Sequence, residues 1–195
     1  IAAIAHPALG PGADPHQVLT GYEPLIRWAA GRGAQLALLP ADHAYLREES
    51  YNAWLAGVRH WARQFSLWLI LGYVLEGPEA GHRLLAIDPD GNIRGGCDRN
   101  RVWPPPLARF GPGLDWRGWG RWLLPRRELL VAPLTQVQRS RGLTPSNLLL
   151  RLLATTGRSS LVAVGGDASL FGAHGRLLSR ERDPSGAVLM LAEIR

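Results

Sequence analysis

The sequence predicts an α/β protein in which β-sheets stack as a layered sandwich flanked by helices. Three observations carry this. Short apolar runs of strand length alternate with two amphipathic helical segments through the first half. A second series of short strands, separated by Gly and Pro turns, closes the chain. The 195 residues, 46% hydrophobic and 19% charged, suffice for one sizeable core, so residues 1–195 are read as a single domain.

Ile1-Ala2-Ala3-Ile4-Ala5 is a buried strand leaving the sheet into a Pro/Gly loop. Asp14 caps a helix with Pro15 at its first position and Gln17 three residues on, a capping-box pattern. Val18, Leu19, Tyr22, Leu25, Ile26 and Ala29 form its apolar face, Gly21 and Pro24 are expected to bend or divide it, and Gly31 and Gly33 stop it. Gln35 to Pro40 is a second strand. A second helix runs through Tyr51 to Arg63, with Trp54, Leu55, Val58, Trp61 and Ala62 on one face. Leu67 to Tyr73 and Arg83 to Asp88 are strands, and Pro89-Asp90-Gly91-Asn92 is a turn into a short strand at Ile93. The first half thus reads β-α-β-α-β-β-β. From about 103 to 127 the pattern dissolves into Trp, Arg, Pro and Gly, read as a loop or arm without periodicity. Glu128 to Pro133 is a strand, Thr144-Pro145 opens a leucine-rich helix to Gly157, and Ser160–Val164, Ser169–Phe171, Arg176–Leu178 and Ala187–Leu191 finish as strands.

Composition narrows the function classes. All 22 basic residues are arginine, which excludes a lysine base or Schiff base from this chain. Net charge is +6 and the pI near 10.6, which raises the expectation of anionic partners, although a source genome biased toward Arg, Ala, Leu, Gly and Pro is the favoured account. No nucleic-acid module accompanies the charge, so nucleic acid is not the expected partner. The one cysteine, Cys97, excludes an internal disulfide and a cysteine-rich metal site. Six histidines lack any two-ligand helical spacing, so no metal and no cofactor is expected. The chain opens at Ile1 and its one methionine is Met190, so the native N-terminus is expected to be processed or to lie upstream. The compartment is left open, with cytoplasm favoured.

The order of elements, with Gly33-Ala34-Gln35-Leu36-Ala37-Leu38-Leu39-Pro40, Leu69-Ile70-Leu71-Gly72-Tyr73, Leu84-Leu85-Ala86-Ile87-Asp88-Pro89-Asp90-Gly91-Asn92-Ile93 and Leu129-Leu130-Val131-Ala132-Pro133, resembles the nitrilase, or carbon–nitrogen hydrolase, superfamily. That resemblance implies an α-β-β-α sandwich and a catalytic Glu, Lys and Cys. The glutamate position, directly after Pro40, holds Ala41, whose methyl group accepts no proton. The lysine position holds Arg99, which keeps the charge but does not give up its proton. The cysteine elbow and its helix find no room between Trp122 and Leu130, so the second half reads as truncated. Asp42, His43 and Cys97 are the available substitutes: Asp42-His43 lies at the expected mouth of the site, and nearby arginines can lower the Cys97 thiol. The later glutamate falls where Thr155 and Thr156 stand.

The resemblance therefore implies a non-catalytic nitrilase-like domain, a structural or protein-interaction subunit in a homodimer or larger assembly. A diverged amidase or acyltransferase with a rearranged site is the alternative, which extends to the soluble part of a membrane-associated protein, as in the apolipoprotein N-acyltransferase branch. Trp116, Trp119 and Trp122, with Arg117 and Arg121, are the expected contact surface for a partner, or for a membrane surface; core cover is the competing reading.

Overall fold

The computed structural model describes residues 1–5, 14–77, 80–99, 107–111, 114–120, 129–133, 160–164, 168–171, 177–181 and 188–191. Strand β1 (Ala2–Ala5) is followed by helix α1 (Pro15–Gly31), β2 (Leu36–Leu38), a short β3 (Tyr45–Leu46), α2 (Glu48–Phe65), β4 (Trp68–Leu75), β5 (Gly81–Ile87) and β6 (Ile93–Arg99). The second half contributes β7 (Leu107–Gly111), β8 (Asp115–Gly120), β9 (Leu129–Pro133), β10 (Ser160–Val164), β11 (Ala168–Phe171), β12 (Leu177–Glu181) and β13 (Val188–Leu191).

The first sheet has strand order β13-β1-β2-β4-β5-β6, with β3 alongside β4. Strands β1, β2 and β4 run parallel, joined by the two helices as crossovers, and β4, β5 and β6 form an antiparallel meander. The other edge is closed by the far end of the chain, β13 pairing antiparallel with β1 from Ala2↔Leu191 to Ala5↔Val188. The second sheet has order β12-β11-β10-β9-β7-β8.

Both helices pack on the outer face of the first sheet. Helix α1 begins where Asp14 accepts the His16 N–H at 3.0 Å, and ends as the Gly33 N–H, at φ 80°, reaches the Ala30 carbonyl. Its buried stripe is Val18, Tyr22, Ile26 and Ala29, as the spacing predicts, and the helix continues through Pro24 instead of dividing there. Helix α2 starts earlier than expected, at Glu48, buries Trp54, Val58, Trp61 and Ala62, and ends at Ser66 in the left-handed region. These residues meet Ala2, Ile4, Ala37, Leu39, Leu69, Leu71 and Ile87 in one core. The second core lies between the sheets, where Ala3, Leu36, Leu38, Ile70 and Ala86 face Ala108, Phe110 and Val131. Three layers, helical, β and β, are thus in place; the helix expected from Thr144 to Gly157 lies outside the described residues. Among the described residues no helix is long and apolar enough to cross a membrane.

The segment read as an arm corrects the sequence expectation. It contains the antiparallel pair β7 and β8, with β7 also pairing β9. A bulge explains why the alternation was hidden. The register jumps from Arg109↔Gly118 to Phe110↔Trp116, with Gly118 at φ 96°, so Arg117 is the extra residue and Trp116 and Trp119 fall on the same face three residues apart.

Candidate functional site

The expected site begins where β2 hands the chain over to β4. Beyond Leu38 the backbone still tracks that strand, Leu39 N–H donating to the Ile70 carbonyl at 2.8 Å and Gly72 N–H to the Pro40 carbonyl at 3.1 Å. Ala41 then crosses over the inner face of the sheet. A β-carbon on Gly72 would stand 2.5 Å from the Ala41 Cα and closer still to its carbonyl oxygen, so only glycine lets this crossing happen. Gly72 is the site-shaping residue that the sequence reading did not single out; its signal was an isolated glycine inside an apolar strand. Ala41 is fully buried as a result. The position to which the resemblance assigns a general base is therefore held firmly, and presents a methyl group.

The next two residues are also buried, Asp42 at 3% exposure and His43 at 1%. Neither side chain therefore lies in water. Burial, then Asp42, then Glu76 raise the Tyr45 hydroxyl above its ordinary range, so the Asp42 carboxylate acts on Tyr45. His43 leaves the inner face altogether. Its ring meets Tyr22 edge-on at 4.3 Å between centroids, with Trp54 at 6.2 Å and Trp61 at 6.3 Å, inside the helix-side core. The expectation that it stands at the mouth of the site is overturned, because the loop turns over between Ala41 and His43. Burial lowers the imidazole from 6.5 to about 3, so the ring is neutral. Neither ring nitrogen has a hydrogen-bond partner among the described residues.

Cys97 and Arg99 lie on the edge strand β6. Cys97 opposes Leu84, which opposes Gly72, so the half-buried thiol belongs to the row that passes under Ala41, two strand spacings or about 10 Å from it. It sits in mid-strand, not on a strand-to-helix elbow. The Arg99 backbone opposes His82 and its side chain lies outside the described residues. A rearranged site drawing on His43 and Cys97 together is not assembled, since the two occupy opposite faces of the sheet. Among the described residues no group of three or more His, Cys, Asp or Glu is placed to hold a metal.

The tryptophans of β8 fill the side of the sandwich next to β6. Trp116 stacks on Trp68 at 6.0 Å, meets Phe110 edge-on at 5.3 Å and Trp119 at 5.7 Å. It lies so close to β6 that a β-carbon on Gly95 would stand 3.0 Å from the indole. Trp116 and Trp119 are thus packed against the inter-sheet core, while Arg117 projects outward and pairs with Asp115 at 2.8 Å. Trp122 and Arg121, the other residues of the expected contact surface, lie outside the described residues, as does the segment 121–128 that would have to carry a cysteine elbow.

The overall fold recurs in solved structures. An amidase from Nesterenkonia sp. AN1 superposes with TM-score 0.75 at 17% identity, covering 100% of this chain and 92% of that one. The chain has the fold of these amidases. A glutamate-to-glutamine mutant of the Nesterenkonia amidase, showing Michael addition of acrylamide at its active-site cysteine, gives 0.76 over the same coverage at 17% identity. A cysteine-to-serine mutant, described as belonging to the nitrilase superfamily, gives 0.68 at 18% identity over 92% of this chain and 85% of that one. No family model and no curated protein matches the chain.

Proposed function

We propose that this chain is a non-catalytic nitrilase-fold domain that serves as a structural or protein-interaction subunit, in a homodimer or a larger assembly. One observation carries the reading. The loop that brings position 41 onto the inner face crosses the sheet at Gly72, where a β-carbon would meet the Ala41 backbone, yet the residue delivered at the position to which the resemblance assigns a general base is alanine. A nucleophile needs an adjacent base to become reactive, and a methyl group cannot act as one. With no lysine in the chain and its one cysteine in mid-strand, the remaining members of an amide-hydrolysing set are lacking as well. The partner-binding role expected of the 103–127 segment rests, among described side chains, on Arg117, because Trp116 and Trp119 are committed to internal contacts.

A second reading, a diverged amidase or acyltransferase, draws on Cys97 lying in the row that passes under Ala41 and on the buried carboxylate of Asp42. One experiment separates the two. The protein is incubated with acrylamide and fluoroacetamide, with ammonia release followed alongside intact mass. The expected result is no ammonia above the protein-free rate, and a Cys97 adduct forming no faster than on free cysteine. Saturable, accelerated modification of Cys97, or sustained ammonia release, overturns the non-catalytic reading in favour of the enzyme.

A further inference from the structure

His43 is the most unusual group in the molecule that the candidate site does not use. It lies two residues beyond Ala41, at the point where the loop from β2 passes from the inner to the outer face of the sheet. There it fills the junction of α1, α2 and the sheet. Among the described residues its ring contacts come from both helices. From α1 the ring in contact is Tyr22, and from α2 the indoles of Trp54 and Trp61. Behind Trp54 stands Tyr73 of β4, at 5.2 Å between centroids. On its own loop the charged neighbour is Asp42, whose carboxylate acts on Tyr45 together with Glu76.

We infer that His43 is an acid-sensitive latch: proton uptake by its imidazole loosens the helical layer and, through the same loop, releases position 41 from the inner face. The proton comes from solvent and converts a neutral ring to an imidazolium, with no other bond made or broken. An imidazolium has two N–H donors and a full charge, and the cage of Tyr22, Trp54 and Trp61 offers ring faces and edges in place of water. Attraction of a cation to aromatic faces falls well short of what is lost on taking a charge out of water. The coupling to the site is covalent. Ala41 and His43 are held by hydrogen bonds to one strand, Gly72 N–H to Pro40 on one side and Val74 N–H to Ala44 on the other, so displacing the ring strains both. This inference does not depend on whether the site is catalytic.

The direction of the pH dependence follows from linkage. In the unfolded chain the imidazole titrates near 6.5, and in the folded one near 3. Between these values the unfolded state holds one proton more, so this histidine's contribution is full above about pH 6.5 and is lost as the pH falls. It amounts to about tenfold in the folding constant per pH unit. The test compares wild type with His43→Phe, which keeps an aromatic ring in the cage and removes the titration. Urea unfolding between pH 7 and 4.5 is expected to show one additional proton taken up by wild type. Hydrogen exchange at pH 4.5, corrected for intrinsic rates, is expected to show residues 39–46 deprotected in wild type and protected in the variant. Equal pH slopes, or equal deprotection, overturn the inference. Should the variant fail to fold, hydrogen exchange of wild type across pH decides: opening of residues 39–46 that grows as the pH falls from about 6.5 to about 4.5, after correction for intrinsic rates, upholds the latch, and opening independent of pH overturns it.

Discussion

The two faces of the first sheet are made from the same strands and are packed in opposite ways. The outer face is filled by large side chains, Tyr22, Trp54 and Trp61 beneath two helices, and it takes in an imidazole as one more ring. The inner face carries small and aliphatic groups, Ala3, Leu36, Leu38, Ile70 and Ala86, and at Gly72 no side chain at all. At Gly72 the filling is main chain, the crossing at Ala41, whereas toward β6 it is Phe110, Trp116 and Trp119 of the second sheet. Side chains can change rotamer or shift by a few tenths of an ångström, whereas a backbone segment pinned by hydrogen bonds at both ends cannot. The inner face should therefore tolerate substitution far less than its small residues suggest, and the outer face should fail through charge instead of bulk.

The sharpest way to break this comparison is Gly72→Ala. One methyl group there meets the Ala41 backbone, so a loss of about 3 kcal/mol or more in urea unfolding is expected, at the top of the range for overpacking. A loss below 1 kcal/mol would mean that the crossing yields, and that the two faces do not differ in kind. Next comes Trp116→Ala, which removes the half-buried indole between the sheets and should cost about 2–3 kcal/mol, below the range for a fully buried tryptophan. The smallest effect is expected at the far end of the meander. The Asp88 carboxylate accepts the N–H groups of Asp90 at 3.0 Å and Asn92 at 2.8 Å, so Asp88→Ala should cost about 1–2 kcal/mol in a thermal melt and leave both faces intact.

Wherever one period ran unbroken, the sequence was readable. The stripes of α1 and α2 followed from 3.6-residue spacing, and the Asp-Pro-Asp-Gly turn from its own hydrogen-bonding chemistry. Strands β7 and β8 were not legible, because one bulge residue moved Trp119 into phase with Trp116 and left a spacing of three that imitates a helical turn. The candidate site was half legible. Ala41 could be placed by its neighbours, but nothing local in Asp42-His43 tells which face a residue takes once the chain leaves its strand. That is decided by the close approach at Gly72, a long-range contact.

The pairing of β1 with β13 has a bearing on how the molecule is made. Ala2 to Ala5 leave the ribosome first among the described strands, and their outer partners Val188 to Leu191 leave last. Until β13 emerges, β1 therefore presents one unpaired row of amide and carbonyl groups, while β2 and β4 assemble on its other side. Such an open strand is a template for stray pairing with other nascent chains. The first sheet is completed only once β13 has been made, so expression should depend on chaperone supply more than the stability of the finished sandwich alone would indicate.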